Sequence, residues 1–360
     1  ISPHCWRLTT PDNNNTGNFC VKNLDIGKQG EADLALDSYL LASLDPFLPE
    51  EFKIAGAVSA DAQIKWDETE KPDFNINVFS EDMLVKVNRD KTKEGVITYP
   101  VETFNIKLLG SKESSELSAT IYSSDLIHGK IKGQLFPYKT EPEVDALIDI
   151  ELPDLSPFAV LIPKVDKLAG HLQTKLTVNG PQHDPIVNGQ ISINDSAITA
   201  VGLPIQINRL NTYIAIKNNR ADIDGEFYTT EFKESKSKKT IIKDVVSLVD
   251  KSIKTVGSTI KKAPVTDKSI SGRANIKGTL DWQNKLQGDI YLIANKIAVN
   301  DYDKINLLIS PDLHLNFAEY LKLTGDIAIN RGTITVKELA EEAVSLSKDV
   351  IVVDIESTKE

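Results

Sequence analysis

Apolar residues occupy every second position of this chain from about Phe52 to Val336, with polar residues between them. A clear run of this kind consists of Ile270, Gly272, Ala274, Ile276, Gly278, Leu280 and Trp282. Because successive side chains of a β-strand point to opposite faces, each run predicts a strand with one apolar and one polar face. Short turn sequences such as Asn179-Gly180-Pro181 separate the runs, which predicts antiparallel pairing between consecutive strands.

Glycines recur inside these apolar runs. A glycine within a strand marks a bend or the close approach of another group, and it allows a sheet to curve. An antiparallel sheet with one apolar face must also cover that face. We therefore expect a mainly β protein, with a long curved antiparallel sheet folded into a U whose concave face is an apolar groove. The runs are mostly aliphatic, and aromatic residues make up 6% of the chain, so the predicted groove suits acyl chains or hydrophobic β-strands.

The residues predicted to line this groove share the apolar phase of the pattern. They are Ile54, Val58, Ile64, Ile131, Ile148, Leu172, Leu176, Ile191, Ile193, Ile205, Ile214, Ile223, Ile276, Leu280, Ile290, Leu292, Leu307, Leu315, Leu323 and Ile327.

One phrase occurs twice in the chain. Its form is Leu-x-Pro-Phe, then a proline, then Ile or Leu followed by Ala-Gly, and its two glycines are Gly56 and Gly170, 170 − 56 = 114 residues apart. We interpret it as an internal repeat of a short apolar helix followed by strands. The predicted organisation is a first strand module at residues 33–152, a second at 153–354, and a truncated tail at 355–360.

Residues 234–262 depart from the alternating pattern. Their apolar residues follow a helical period, with lysines on the opposite side, which predicts an inserted amphipathic helix. Such a helix could lay its apolar stripe on the sheet with its lysines in solvent. Alternatively, it could contact an anionic membrane surface or a partner protein.

The only two cysteines, Cys5 and Cys20, flank a polar stretch rich in Asn. We expect a disulfide that closes an N-terminal loop region at residues 1–32, which indicates an oxidising compartment. Free thiols are an alternative. A metal site with His4 is a weaker alternative, because a fourth ligand and the usual Cys-x-x-Cys spacing are lacking.

The formal net charge is −11, which disfavours nucleic acid as a partner, since its binding relies on lysine and arginine contacts to phosphates. The five histidines are scattered, and none belongs to a metal-binding or catalytic motif. We therefore expect no cofactor, no metal and no enzymatic activity. A structural β-solenoid whose interior is closed by its own side chains is a further alternative.

The segment from Gly170 to Ile193 resembles the C-terminal region of the TamB family, the inner-membrane component of the translocation and assembly module. The resemblance rests on Gly170-His171-Leu172-Gln173-Thr174-Lys175-Leu176-Thr177-Val178-Asn179-Gly180, on Pro185-Ile186-Val187-Asn188-Gly189-Gln190-Ile191-Ser192-Ile193, and on the stretch from Leu323 to Asp354. It covers most of the chain from about Asp33, apart from residues 234–262.

The resemblance implies a β-taco fold and a place in the AsmA-like group, which is similar to bridge-like lipid-transfer proteins. It implies a periplasmic protein that carries phospholipid between the inner and outer membranes and supports outer-membrane integrity. Its implied partners are the inner membrane, through an N-terminal anchor outside this sequence, and the outer-membrane barrel TamA, through a C-terminal segment that we also expect to be absent here. Assembly of outer-membrane proteins and autotransporters, by templating of nascent strands, is the alternative function.

Overall fold

A computed structural model describes residues 3–9, 15–68, 71–88, 95–111, 113–137, 139–230, 232, 272–301, 305–318 and 320–334. The predicted amphipathic segment 234–262 and tail 355–360 lie outside these residues. Most of the described chain is in β-strands, and two short 3-10 helices, η1 (Leu41–Phe47) and η2 (Ser156–Leu161), lie between them.

The main sheet has 18 strands. These are β1 (His4–Thr9), β2 (Asn15–Asp25), β3 (Gln29–Leu40), β5 (Ala57–Asp67), β6 (Asp73–Ser80), β9 (Thr103–Gly110), β10 (Ser115–Ser123), β11 (Ile127–Phe136), β12 (Glu143–Leu152), β13 (Val165–Pro181), β14 (Ile186–Ala200), β15 (Ile207–Lys217), β16 (Arg220–Thr229), β17 (Arg273–Asp281), β18 (Gln287–Asn295), β19 (Ile297–Asp301), β20 (Ile305–Phe317) and β21 (Leu321–Ile334). A small three-stranded sheet contains β4 (Phe52–Ala55), β7 (Leu84–Asn88) and β8 (Val96–Pro100).

Each strand of the main sheet pairs antiparallel with the next one along the chain, once β4, β7 and β8 are set aside. The same order continues from β13 to β21, except that β20 pairs with β18 along one half and with β19 along the other. Within the described residues β1 and β21 each have one neighbour, so the sheet is open. The predicted fold class, a long antiparallel sheet with a few short helices, is confirmed.

The two long rims of the main sheet differ in their connections. The short connections after β2, β5, β9, β11, β13, β15, β17 and β20 all lie on one rim, which we call the hairpin rim. The opposite rim, which we call the cap rim, carries every inserted element of the described chain: η1, the small sheet, η2, the 201–206 loop and β19. Consecutive strands of an antiparallel meander run in opposite directions, so their connections lie alternately on the two rims.

Inserted elements pack against the main sheet along the cap rim and form two buried clusters, which together we call the caps. In the first cluster Val87 of the small sheet is fully buried, and Leu41, Met83, Val85, Tyr99, Val101 and Leu126 surround it. The second cluster contains Phe227, Ala274, Ala294 and Ile297, with Ile205 of the 201–206 loop packed against it. Buried side chains are therefore concentrated near the cap rim.

The internal repeat corresponds to a shared backbone hydrogen bond. The N–H of Leu41, where η1 begins, donates to the carbonyl oxygen of Gly56 at 3.0 Å, and the N–H of Leu155 beside η2 donates to that of Gly170 at 2.9 Å. Both glycines have positive φ, +97° and +123°. The N–H of Thr229 also donates to the carbonyl oxygen of Gly272 at 3.0 Å, but Gly272 is not among the glycines with positive φ.

A line of bulges bends the strands near the cap rim. At Ser38, Asp195 and Lys296 the backbone has positive φ, and a bulged strand bends away from a flat sheet. A side chain on the next strand accepts each freed N–H: Ser59 Oγ for Ser38 at 3.2 Å, Asn211 Oδ1 for Asp195 at 3.0 Å, and Ser310 Oγ for Lys296 at 3.0 Å. We call this line the crease.

The structure differs from the predicted organisation in two places. Residues 1–32 were predicted to be a loop region, but His4–Thr9 and Asn15–Asp25 are strands of the main sheet and Gln29 begins β3. The main sheet also continues without a break from β12 to β13, across the predicted boundary at 152 and 153. The alternating pattern is weak in these first strands because a bulge interrupts it between Val21 and Asn23.

Candidate functional site: the apolar face of the main sheet

One register row of apolar residues crosses the whole main sheet. Each of its residues is paired directly with the next: Trp6, Phe19, Leu36, Ala60, Val78, Ile106, Ala119, Ile131, Ile148, Leu176, Gly189, Ile216, Ala221, Leu280, Gly288, Phe317 and Leu321. We call it the central row, and the side of the sheet that carries it the apolar face. Neighbouring strands are about 4.8 Å apart, so the row follows the sheet for about 75 Å.

The second row, on the cap side of the central row, has nearly the same character. It runs through Phe104, Ile121, Gly129, Ile150, Thr174, Ile191, Ile214, Ile223, Gly278, Ile290, Leu315 and Leu323. No charged side chain occurs in either row, and the polar side-chain groups are the indole N–H of Trp6 and the hydroxyl of Thr174. Two adjacent rows without charge give a continuous hydrocarbon surface.

Small residues alternate with large aliphatic ones along these rows. Gly189 lies between Leu176 and Ile216, and Gly288 lies between Leu280 and Phe317. A Cβ built on Gly189 would come within 2.0 Å of the Lys175 carbonyl oxygen, so a larger residue does not fit there. Glycines thus let neighbouring strands approach closely while large side chains beside them keep the face apolar.

The structure brings nearly all of the predicted groove residues onto this one face. Ile131, Ile148, Leu176 and Leu280 belong to the central row, and the second row includes Ile191, Ile214, Ile223, Ile290, Leu315 and Leu323. The same face also carries Val58, Ile64, Leu172, Ile193, Ile276, Leu292, Leu307 and Ile327.

Two predicted residues lie elsewhere. Ile54 belongs to the small sheet, opposite Val85, and Ile205 lies in the 201–206 loop against the second buried cluster. Both are part of the caps. Their position could not be read from alternation, because a strand of the small sheet has the same period as a strand of the main sheet.

Exposure of the apolar face changes along its length. Most central-row side chains are half-buried, but Trp6 on β1 is 48% exposed and Leu321 on β21 is 65% exposed. On β21 the apolar residues Leu323, Ile327 and Ile329 are also exposed. The two ends of the apolar face are therefore its most accessible parts.

The opposite face is polar and carries alternating charges. Asp149 lies between Lys130 and Lys175 on adjacent strands, and its Oδ2 is 3.6 Å from Lys175 Nζ. Arg273 pairs with Glu226 in the same way across β16 and β17. Shallow clefts of about 440 and 530 Å³ lie on this face, one of them around Tyr213 and Lys277. These features are typical of a solvated surface.

Histidines on the polar face pair with carboxylates. His128 Nδ1 and His171 Nε2 lie 3.3 and 3.4 Å from the two oxygens of Glu151. His314 Nε2 lies 2.6 Å from Asp289 Oδ1, and Asn316 donates to the same oxygen at 2.9 Å. The hydrogen bond from Asn316 and then that from His314 lower the pKa of Asp289 below its usual value.

Cys5 and Cys20 form a disulfide between directly paired positions of β1 and β2. Within the described ranges there is no group of three or more His, Cys, Asp or Glu side chains arranged to hold a metal ion. A search of the same residues for a helix long and apolar enough to cross a membrane found none.

Two family models match the chain. Residues 1–193 match the model described as the TamB N-terminal domain, and residues 262–360 match the model described as the TamB C-terminal domain. The chain belongs to the TamB family. The predicted family is therefore confirmed. The segment from Gly170 to Ile193 was expected to match the family's C-terminal region but falls within the N-terminal match, whereas the stretch from Leu323 to Asp354 falls within the C-terminal match as expected.

A curated TamB relative extends the match to almost the whole chain. The translocation and assembly module subunit TamB of Haemophilus influenzae is 20% identical over 357 residues, which is 98% of this chain and 24% of that protein. The chain thus spans about a quarter of the length of this relative. No solved structure matches the chain.

Proposed function

We propose that the apolar face is a track for the acyl chains of phospholipids, in a periplasmic protein that bridges the inner and outer membranes. The observation that supports this most directly is the central row, which crosses 17 strands without a charged residue. Burial of hydrocarbon is favourable by about 0.8 kcal/mol for each CH₂ group. Since the rows offer the same chemistry at each strand, an acyl chain could move along them without leaving an apolar environment.

Membership of the TamB family supports the wider setting of this proposal. The Haemophilus relative is named as a subunit of a translocation and assembly module. In the proposed arrangement, parts of the whole protein beyond this chain anchor it in the inner membrane and contact the outer-membrane barrel TamA. Lipid delivery along the track would then maintain outer-membrane integrity and support protein assembly there.

The central test compares two neighbouring residues on opposite faces. Ile148 lies in the central row, whereas Leu147 is 47% exposed on the polar face. Lipids that copurify with the 360-residue chain would be extracted and quantified by mass spectrometry. We expect phospholipid with the unchanged chain and with Leu147→Asp, and a loss of at least tenfold with Ile148→Asp, because the new carboxylate would be desolvated by a bound acyl chain.

Circular dichroism would establish that both variants keep their β content. Equal lipid content in the two variants would show that the apolar face is not the binding site. If no lipid copurifies and none is taken up from vesicles, the structural β-solenoid becomes the better account.

A second candidate function rests on the edge strand β21. Among the described residues β21 pairs only with β20, and its apolar side chains are exposed, with Leu323 at 63% and Ile329 at 66%. An open edge of this kind can add a strand from another protein by β-augmentation. This supports the alternative in which the protein templates nascent strands of outer-membrane proteins.

Photo-crosslinking separates the two candidates. A crosslinking amino acid at Ile148, in the middle of the track, should capture lipid in cells under the first proposal. The same amino acid at Leu323 should capture nascent outer-membrane protein under the second. Capture of protein but not lipid at both positions would favour the template.

A further inference from the structure

The two rims offer very different surroundings to the polar head group of a lipid. At the cap rim, Phe104, Ile121 and Ile127 of the main sheet pack against the first buried cluster, and Ile276 and Leu292 pack against the second. An ionised head group there would lose its hydration without gaining partners. Where the two clusters cover the face, the cap rim is therefore closed to a head group.

The half of the apolar face next to the hairpin rim is not covered in this way. Its row runs through Ile76, Leu108, Leu117, Ala146 and Val178, which are half-buried and belong to neither cluster. The connections beyond this row are short and rich in polar residues. Acyl chains have open hydrocarbon surface on this half, with solvent directly beyond it.

Charges of both signs lie along the hairpin rim. Lys28 Nζ is 2.8 Å from Glu68, and Lys139 Nζ is 2.5 Å from Glu143. Their side chains are largely exposed, 82% for Lys28 and 57% for Glu68. Exposed ion pairs add little to stability, so a head group could replace one partner at little cost.

We propose that the bound lipid carries a zwitterionic head group, which lies at the hairpin rim with its phosphate near lysines such as Lys28 and Lys139 and its ammonium near the carboxylates beside them. This inference rests on the proposed function. A head group with both charges matches paired charges of both signs, whereas a purely anionic one meets the carboxylates and the net charge of −11. The hairpin rim thereby selects the class of phospholipid.

The test uses vesicles with equal amounts of phosphatidylcholine and phosphatidylglycerol that share the same acyl chains. The 360-residue chain is incubated with them, separated from the vesicles by gel filtration, and extracted for mass spectrometry. We expect phosphatidylcholine to be enriched at least threefold in the bound lipid. Bound lipid with the vesicle's own composition would overturn the inference while leaving the proposed function intact, whereas no bound lipid would contradict the proposed function itself.

Charge reversal locates the selectivity. The triple variant Glu68→Lys, Asp73→Lys and Glu141→Lys changes the hairpin rim and should shift the bound lipid towards phosphatidylglycerol. A matched control makes the same change of net charge on the polar face with Asp149→Lys, Asp222→Lys and Asp224→Lys, and it should keep the original preference. Equal shifts in both variants would mean that net charge decides the preference, which would overturn the assignment to the rim.

Discussion

Gly170 accepts a hydrogen bond from the backbone N–H of Leu155 at 2.9 Å, across the short helix η2 that separates them. This bond joins the residue before η2 to β13, two residues before β13 begins to pair with β12 at Leu172. The N–H of Leu41 makes the equivalent bond to Gly56 beside η1, so the protein uses this joint twice.

Gly170→Ala should therefore destabilise the fold. The residue has φ +123°, and an added Cβ would lie 2.0 Å from Ser196 Oγ and 2.6 Å from Ser196 Cα. Backbone strain and overlap together should cost about 3 kcal/mol, measured as a lower urea midpoint. Gly202→Ala is the control, since it has φ +80° with nothing within 4 Å and should cost only about 1 kcal/mol. Equal effects would contradict the role of the joint.

The crease should loosen when its side-chain acceptors are removed. Ser310→Ala takes away the oxygen that accepts the Lys296 N–H at 3.0 Å. Losing such a bond costs about 1 kcal/mol, so the amide of Lys296 should exchange with deuterium about fivefold faster. Ser310→Thr keeps the hydroxyl and should restore slow exchange. Fast exchange in the threonine variant as well would argue against the hydrogen bond as the cause.

Asp289 and its partners His314 and Asn316 should make the pairing of β18 with β20 sensitive to acid. Because the pKa of Asp289 is lowered in the folded protein, its ionised form adds stability above the unfolded pKa of about 3.9, and this is lost as the pH falls through the folded value. Asn316→Leu removes the first cause of the shift and should raise the pKa of Asp289. Carboxyl carbon chemical shifts followed from pH 6 to 2 would measure it, and an unchanged midpoint would contradict the assignment.

The disulfide should hold the first strand of the sheet in place. Replacing both Cys5 and Cys20 by serine removes a link worth up to about 3 kcal/mol in the chain-entropy model. Because β1 pairs only with β2 among the described residues, we expect limited proteolysis to cut near residues 4–9 in the variant. Strands far from β1, such as β13, should keep their protection. A cleavage pattern unchanged from that of the oxidised chain would show that backbone pairing alone holds β1.

The strands of the main sheet and its apolar face could be predicted because their signal is local. Alternation assigns Ile148 and Leu147 to opposite faces without any knowledge of the neighbouring strands. The register that joins Ile148 to Leu176 agrees with it, since a slip by one residue would turn apolar side chains to the polar face.

The caps and the crease could not be predicted in this way. Val87 and Ile97 lie in strands of the small sheet, yet their sequence looks like any short strand, and only tertiary packing decides which sheet they join. The bulge at Asp195 breaks the alternation by one residue and has no glycine to mark it.

The arrangement of the two rims has a consequence for how such a protein can change its length. A hairpin inserted at a cap-rim connection begins and ends on that rim. The strands on either side therefore keep their direction, and each pairs with one strand of the new hairpin. Each added hairpin extends the apolar rows by about 10 Å. The sheet can therefore become longer or shorter in steps of two strands, while the existing strands keep their direction and their apolar face.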